Sequence, residues 1–78
     1  MLGRKSAAER LAEFLILASE RLSTPLGDID LPMTRQQIAD YTGLTLETVS
    51  RLFSKWTREK RITRVGARAY RIEGELSL

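Results

Sequence analysis

Apolar residues recur at steps of three and four between Ser6 and Leu22, which is the spacing of one face of an α-helix. Charged residues such as Arg10 and Glu13 fall off that face. The pattern predicts an amphipathic first helix whose apolar face lies in the core of a small domain, in preference to forming a groove for a partner. The apolar positions of this helix are Ala7, Leu11, Phe14, Leu15, Ala18 and Leu22.

A second apolar pattern lies between Thr34 and Phe53 and is interrupted by a glycine. Its side chains bury together only if the chain turns sharply near Gly43, where glycine permits a positive φ without a Cβ penalty. Two helices joined by such a turn form a helix-turn-helix, which we place at about residues 34–58. The apolar positions of this motif are Ile38, Ala39, Leu44, Val49 and Leu52.

Polar residues mark the beginning of both helices. Thr34 is an expected N-cap, and Gln37 three residues later completes a capping-box pattern. Thr45 is the expected N-cap of the third helix. Because the apolar face continues beyond the motif, this third helix is predicted to run from Leu46 to about Lys60.

Short extended segments are predicted on either side of the helix-turn-helix. Residues 29–31 alternate apolar with polar just before Pro32 and favour a strand at a sheet edge. Residues 62–65 and 68–72 flank Gly66 and Ala67 and predict a β-hairpin at about residues 62–72. A hairpin appended to a helix-turn-helix is called a wing. Its inward side chains would be Ile62, Tyr70 and Ile72, and its outward ones Arg64, Arg68 and Arg71.

Together these elements predict one domain over residues 1–78 of the α+β class, mainly α. Its architecture would be a winged helix-turn-helix with three helices and a small antiparallel β-sheet or hairpin wing. The residues from Gly74 onward are expected to fray.

Composition excludes several classes of protein. The 78 residues contain neither cysteine nor histidine, which excludes a disulfide framework, a zinc finger and an active site based on either residue. We therefore expect no enzyme activity, no metal and no cofactor. Residues 1–5 are not followed by the apolar stretch of a signal peptide, and no apolar run approaches the length of a membrane span. A cytoplasmic protein without a membrane partner is the expectation.

Positive charge is concentrated after the start of the third helix. The whole chain carries a formal charge of +3, whereas residues 51–71 carry eight basic residues against Glu59 alone, a net +7. Such a run is often only a solvated surface. Its position beside a helix-turn-helix favours a polyanionic partner, and double-stranded DNA above others.

Four side chains remain on the outward face of the third helix once the apolar positions are assigned to the core. The guanidinium of Arg51 matches the O6 and N7 acceptors of guanine, and Glu47 shares its helix face four residues earlier. Ser50 supplies an adaptable hydroxyl, and Leu46 offers an apolar surface to a thymine methyl group. We predict that these four residues contact base edges. A surface ion pair between Glu47 and Arg51 is the other interpretation, and the two are compatible, with the pair in the free protein and the base contacts in the complex.

Binding to phosphates would come from the helix N-termini and the basic wing. The residues predicted to contact phosphates are Thr34, Arg35, Gln36, Thr45, Thr48, Lys55, Arg64 and Arg68.

At residues 35–52 the sequence R-Q-Q-I-A-D-Y-T-G-L-T-L-E-T-V-S-R-L closely resembles the helix-turn-helix of the Crp/Fnr regulators. Its E-T-V-S-R core looks like the Fnr/FixK branch, and the segment R-K-S-A-A-E-R-L-A-E-F-L is similar to the helix that precedes the motif in that branch. The resemblance implies a bacterial transcription regulator whose winged domain binds DNA. It also implies that Glu47, Ser50 and Arg51 read a T-T-G-A half-site.

The same resemblance implies further parts and partners. Such regulators have an N-terminal β-barrel sensor domain and a long dimerisation helix, neither of which is in this chain. A homodimer and a contact with RNA polymerase, through the connector at residues 23–31, are therefore expected of the full-length regulator. From the residues alone, a protein-interaction module whose basic wing binds an acidic partner remains the alternative to DNA binding.

Overall fold

Three helices and three short strands occur within residues 5–76, the part of the chain that the computed structural model describes. This arrangement confirms the predicted α+β winged helix-turn-helix. Residues 1–4 and 77–78, which the predicted domain includes, lie outside the described residues. The elements are α1 (Ala7–Arg21), β1 (Ile29–Asp30), α2 (Arg35–Thr42), α3 (Leu46–Arg58), β2 (Ile62–Arg64) and β3 (Ala69–Ile72).

Side-chain caps begin the helices of the helix-turn-helix. The hydroxyl of Thr34 accepts from the Gln37 backbone N–H at 3.1 Å, and the Gln37 side chain accepts from the Thr34 N–H at 2.9 Å. The Thr45 hydroxyl accepts from the Thr48 N–H at 3.1 Å. Both predicted N-caps are therefore confirmed, and each satisfies N–H groups that the first helical turn leaves unpaired.

A residue in the left-handed backbone conformation follows each of the same two helices. Gly43 follows α2 with φ of 76°, which confirms the predicted tight turn. The third helix ends at Arg58, two residues before the predicted end. It ends there because the Lys60 N–H donates to Thr57 O at 3.1 Å and the Arg61 N–H donates to Trp56 O at 2.8 Å. This is the Schellman pattern, and it places Lys60 at φ of 60°, where glycine is the usual residue.

The three strands form an antiparallel sheet in the order β1-β3-β2. Ile29 of β1 pairs with Tyr70, and Ile62 of β2 pairs with Ile72. The wing, defined as β2, β3 and the turn between them, is thus extended by an edge strand from the segment between α1 and α2. This confirms the predicted edge strand and adds that its partner is β3.

A continuous apolar core lies between the three helices and the sheet. The predicted face of α1 contributes Leu11 and Leu15, which are almost fully buried. Trp56 of α3 is also fully buried, and within residues 5–76 its indole N–H has no hydrogen-bond partner. Ala39 is fully buried as well, so its small side chain permits the close crossing of α2 and α3.

The prediction of fraying from Gly74 is wrong for the residues that the structure describes. The N–H groups of Glu73 and Gly74 both donate to Arg61 O, at 2.8 and 3.0 Å. Leu76 is buried beside α1. The segment is ordered because it adds a buried leucine to the core and pairs its backbone with the residue that follows the turn after α3.

Candidate nucleic-acid interface

The outward face of α3 carries the four residues predicted to read bases. Leu46, Glu47 and Arg51 are exposed, and Ser50 is half-buried. The helix begins at the Thr45 cap, so these side chains lie on its first two turns. We call them the reading face. The opposite face is held in the core by Val49, Leu52, Phe53 and Trp56.

The charged groups of the reading face are free of partners within the described residues. Glu47 and Arg51 form no ion pair with each other there, so the alternative of a surface pair is not realised in the unbound protein. The carboxylate can accept hydrogen bonds, and the guanidinium can donate five. Leu46 keeps 43% of its surface exposed at the first position of the helix. This face therefore offers a donor, an acceptor and an apolar contact side by side.

The other polar residues predicted for the helix-turn-helix lie at the N-termini of α2 and α3, except Lys55, which lies in the last turn of α3. Thr34 and Thr45 are exposed, although their hydroxyls serve as N-caps. The Thr45 hydroxyl also donates to the Thr48 hydroxyl at 2.9 Å. Gln36 donates to the Asp40 carboxylate at 3.0 Å, while Lys55 is exposed on α3. Thr34, Gln36 and Thr45 thus lie exposed at helix N-termini, which attract anions.

The two wing arginines differ in their surroundings. Arg64 donates through Nε to Gly66 O and through Nη2 to Ala67 O, both at 3.1 Å, so its guanidinium closes the turn of the wing. Arg68 is exposed, and among residues 5–76 only its backbone carbonyl is engaged, by the Leu31 N–H at 2.8 Å. Arg64 therefore shapes the wing, whereas the Arg68 side chain is available to a ligand.

Arg35 is half-buried between α2, α3 and the sheet. Its guanidinium carbon lies 4.5 Å from the centroid of the Phe53 ring, and its Nη2 donates to the Tyr70 hydroxyl at 3.4 Å. The Phe53 and Tyr70 rings are themselves 5.1 Å apart. The sequence predicted Arg35 only as a phosphate ligand, because the approach of Phe53 and Tyr70 depends on the tertiary arrangement.

Two clefts meet at these arginines. The first lies between the start of α2 and the wing turn, and its lining includes Thr34, Arg35, Arg64 and Arg68. The fold thus brings together four of the predicted phosphate residues. The second lies between the end of α3 and the wing, where Arg58 joins Arg35 and Arg64. Arg58 was recognised in the sequence only as part of the basic run.

Arg71 is set apart from the other wing arginines by an acidic partner. Its Nε donates to the Asp28 carboxylate at 2.8 Å. This hydrogen bond and the charge of Asp28 raise the pKa of Arg71 above its ordinary value. The positive charge of Arg71 is therefore compensated within the protein.

No helix within residues 5–76 is long and apolar enough to span a membrane.

Comparisons with known proteins identify close relatives of this fold. Residues 9–75 match the family model of the Crp-like helix-turn-helix domain. The chain is 52% identical over 65 residues to the transcriptional activatory protein AadR of Rhodopseudomonas palustris, covering 80% of this chain and 27% of AadR. It is 56% identical over 61 residues to the nitrogen fixation regulation protein FixK of Bradyrhizobium diazoefficiens, covering 74% of this chain and 26% of FixK.

A solved structure shows the same arrangement. The structure of FixK2 from Bradyrhizobium japonicum superimposes with a TM-score of 0.85 and 44% sequence identity, covering 95% of this chain and 37% of that chain. The present chain spans about a quarter of the length of the two relatives compared by sequence.

Proposed function

Because this chain belongs to the Crp-like helix-turn-helix domain family, we propose that it binds double-stranded DNA as part of a transcription regulator, with α3 in the major groove. Its relatives AadR and FixK are named as regulators rather than enzymes, which agrees with the non-enzymatic prediction. The observation that carries the proposal is the reading face, an outward set of polar and apolar side chains at the capped start of α3 whose charged groups have no partner within residues 5–76.

Base recognition is assigned to the four residues of the reading face. Arg51 would donate to O6 and N7 of a guanine, and Glu47 would accept from the amino group of a cytosine or adenine. Leu46 would contact a thymine methyl group, with Ser50 adding a hydroxyl. This combination suits a T-T-G-A half-site. The absence of a pre-existing Glu47–Arg51 pair within the described residues leaves both groups available for these interactions.

Phosphate contacts are assigned to the surface that surrounds the reading face. The α2 and α3 N-termini present backbone N–H groups to anions, and the exposed side chains of Lys55 and Arg68 add positive charge. Arg35 is left out of this set because it is half-buried and its guanidinium contacts Phe53 and Tyr70 on other elements, whereas Arg64 is exposed and bonds to the carbonyls of its own turn. The residues assigned to phosphates are Thr34, Gln36, Thr45, Thr48, Lys55, Arg64 and Arg68.

We propose that the full-length regulator is located in the cytoplasm and that it has two protein partners there. One partner is a second copy of the regulator, since a pseudo-palindromic site is matched by a two-fold dimer. The other is RNA polymerase, at the connector of residues 23–31. Within it the Thr24 hydroxyl accepts from the N–H groups of Leu26 and Asp28, both at 3.2 Å, and Leu26 is 82% exposed. An ordered turn that displays a leucine is suited to protein contact.

A binding assay with labelled duplexes tests the proposal. Affinity for a duplex with two T-T-G-A half-sites would be compared with affinity for a scrambled duplex of the same composition at the same salt concentration. We expect tighter binding to the first. Selection from a random duplex pool would identify the preferred sequence and the half-site spacing together. Equal affinity for every duplex would contradict the assignment and favour the alternative, a wing that binds an acidic protein.

A further inference from the structure

We propose that Arg35 supports DNA binding as a positioning residue that fixes the wing against α3, through Phe53 and Tyr70. The inference rests on the proposed function, since the wing and α3 are the two parts that would contact DNA. It differs from the prediction made for Arg35 from the sequence, which was a direct contact to phosphate.

The side chain of Arg35 joins three elements. Arg35 is the first residue of α2, Phe53 lies on the buried face of α3, and Tyr70 lies on β3, the central strand of the sheet. The guanidinium carbon of Arg35 is 4.5 Å from the Phe53 ring centroid, within the range of a cation–π contact. The same guanidinium donates to the Tyr70 hydroxyl. One side chain thus contacts both the helix and the wing.

The Phe53 and Tyr70 rings together restrict the orientation of the Arg35 guanidinium. The Phe53 and Tyr70 rings lie 5.1 Å apart and are tilted by 37°. Both residues are buried, with 2% and 8% of their surface exposed. A guanidinium that lies over one ring and bonds to the hydroxyl of the other restricts how the sheet can rotate relative to α3. Such a restriction matters because Arg68, on the turn side of the wing, can reach phosphates only at the right wing angle.

The neighbouring Arg68 provides the contrast. Arg68 lines the same cleft as Arg35 but is exposed, and its side chain is not engaged by the described residues. Replacing either arginine with methionine removes one positive charge from that cleft. Only Arg35→Met, however, also removes the cation–π interaction with Phe53 and the hydrogen bond to Tyr70. Tyr70→Phe completes the set, because it removes the hydroxyl acceptor without changing any charge.

The chain contains no cysteine, so a nitroxide label can be attached at a single introduced residue. Ala67→Cys places the label on the exposed wing turn, and Glu20→Cys places a control label on the exposed surface of α1, outside the two clefts that Arg35 lines. Electron paramagnetic resonance would report the mobility of each label in the free protein. DNA affinity and its salt dependence would be measured on the same variants, at temperatures well below the melting transition of each.

We expect Arg35→Met to increase the mobility of the label at position 67 and to leave the label at position 20 unchanged. Affinity for the selected duplex should fall about tenfold, the effect of losing one well-placed cation–π contact with its hydrogen bond. Tyr70→Phe should also increase the mobility of the label at position 67 and lower DNA affinity. In a double variant with Arg35→Met, the effects of the two substitutions should not add. Arg68→Met should reduce the salt slope by about 0.9 without altering wing mobility.

Arg35→Lys distinguishes a direct contact of Arg35 to phosphate from its role in positioning the wing. An ammonium group binds a phosphate well but lacks the extended fork of donors with which the guanidinium lies over Phe53 and donates to Tyr70. We therefore expect Arg35→Lys to resemble Arg35→Met in wing mobility. Full recovery of affinity by lysine, or an unchanged wing label in both Arg35 variants, would overturn the positioning role. If an Arg35 variant fails to fold, Tyr70→Phe alone decides, since an unchanged wing label and affinity would overturn it.

Failure of the proposed function would look different. It would show as equal affinity of the unsubstituted protein for all duplexes, whereas the label measurements require no DNA and would still test the coupling of Arg35 to the wing.

Discussion

Asp28 and Arg71 are 43 residues apart in the sequence and form an ion pair, with Arg71 Nε donating to Asp28 Oδ1 at 2.8 Å. The carboxylate is largely buried, and the guanidinium is about half-exposed. Asp28 also fixes its own loop, because its carbonyl accepts from the Thr24 N–H at 2.7 Å. The pair therefore connects the loop after α1 to the central strand of the sheet.

Removing this ion pair should destabilise the protein to the same extent across neutral pH. Asp28→Asn keeps the shape of the side chain and removes its charge, so we expect the Tm to fall by a few degrees. The raised pKa of Arg71 means that the pair stabilises the fold below the ordinary pKa of arginine, and that this contribution is lost only as pH rises through the higher folded value. The difference in Tm should thus stay constant from about pH 6 to about pH 9.

Calorimetry or circular dichroism at several pH values would measure that difference. Asp30→Asn is the matched control, since Asp30 is exposed and its side chain has no partner among the described residues. Equal effects of the two substitutions, or a difference that changes within this pH range, would be inconsistent with the role given to Asp28.

Lys60→Gly should stabilise the protein. Lys60 adopts φ of 60° in the Schellman turn after α3, a conformation that costs an L-residue about 1–2 kcal/mol. Glycine removes this cost but loses more chain entropy on folding, so we expect a net gain of about 0.5–1 kcal/mol in the free energy of unfolding. Urea unfolding with an unchanged m-value would measure it.

The opposite substitution at the end of α2 is the control. Gly43→Ala places a Cβ at φ of 76°, and the added atom would lie 3.3 Å from Arg10 Nη1. The arginine tip can move aside, so backbone strain should dominate and cost about 1 kcal/mol or more. A loss of stability in Lys60→Gly would show that the lysine side chain contributes more than its backbone costs.

Trp56→Phe should be tolerated far better than Trp56→Ala. The indole N–H of Trp56 is buried without a partner among residues 5–76, and an unsatisfied donor costs about 1–3 kcal/mol. Phenylalanine removes that donor while leaving a smaller void, so we expect a net cost of about 1 kcal/mol, against about 3–5 kcal/mol for alanine. Denaturant unfolding of both variants would test this. A cost for Trp56→Phe as large as that for Trp56→Ala would contradict this expectation.

Arg51 and Lys55 should contribute to DNA binding in different ways. Arg51→Ala should cost about 1–3 kcal/mol on the preferred duplex and relax discrimination at one base pair. Lys55→Ala should weaken binding to all duplexes alike and reduce the salt slope by about 0.9. Titrations on preferred and random duplexes at several salt concentrations would separate them. Equal loss on both duplexes for Arg51→Ala would remove Arg51 from the reading face.

The sequence predicted the helices of this fold because their signals are local. The Thr34 and Gln37 capping box and the Gly43 turn need only neighbouring residues, and all three are found as predicted. The Lys60 turn carries no such signal, since lysine is an uncommon residue in the left-handed region. Helix α3 therefore ended earlier than its apolar pattern indicated.

Interactions between distant segments were beyond prediction from a single sequence. The residues of the reading face follow from helical geometry, so their shared exposure could be anticipated. The engagement of Arg35 by Phe53 and Tyr70 depends on how the sheet packs on α3. Likewise, the burial of Leu76 could not be predicted, because the segment before it has weak periodicity. Leu76 is buried because it packs beside α1.

The strand order β1-β3-β2 also constrains how the protein acquires its shape during synthesis. Among residues 5–76 the strand made last, Ala69–Ile72, lies in the centre, so within that range β1 and β2 pair with no other strand until it emerges from the ribosome. The pairing of Ile29 with Tyr70 then closes a long loop that contains the entire helix-turn-helix. A nascent chain could form α2 and α3 early, but the wing would join them in a late step.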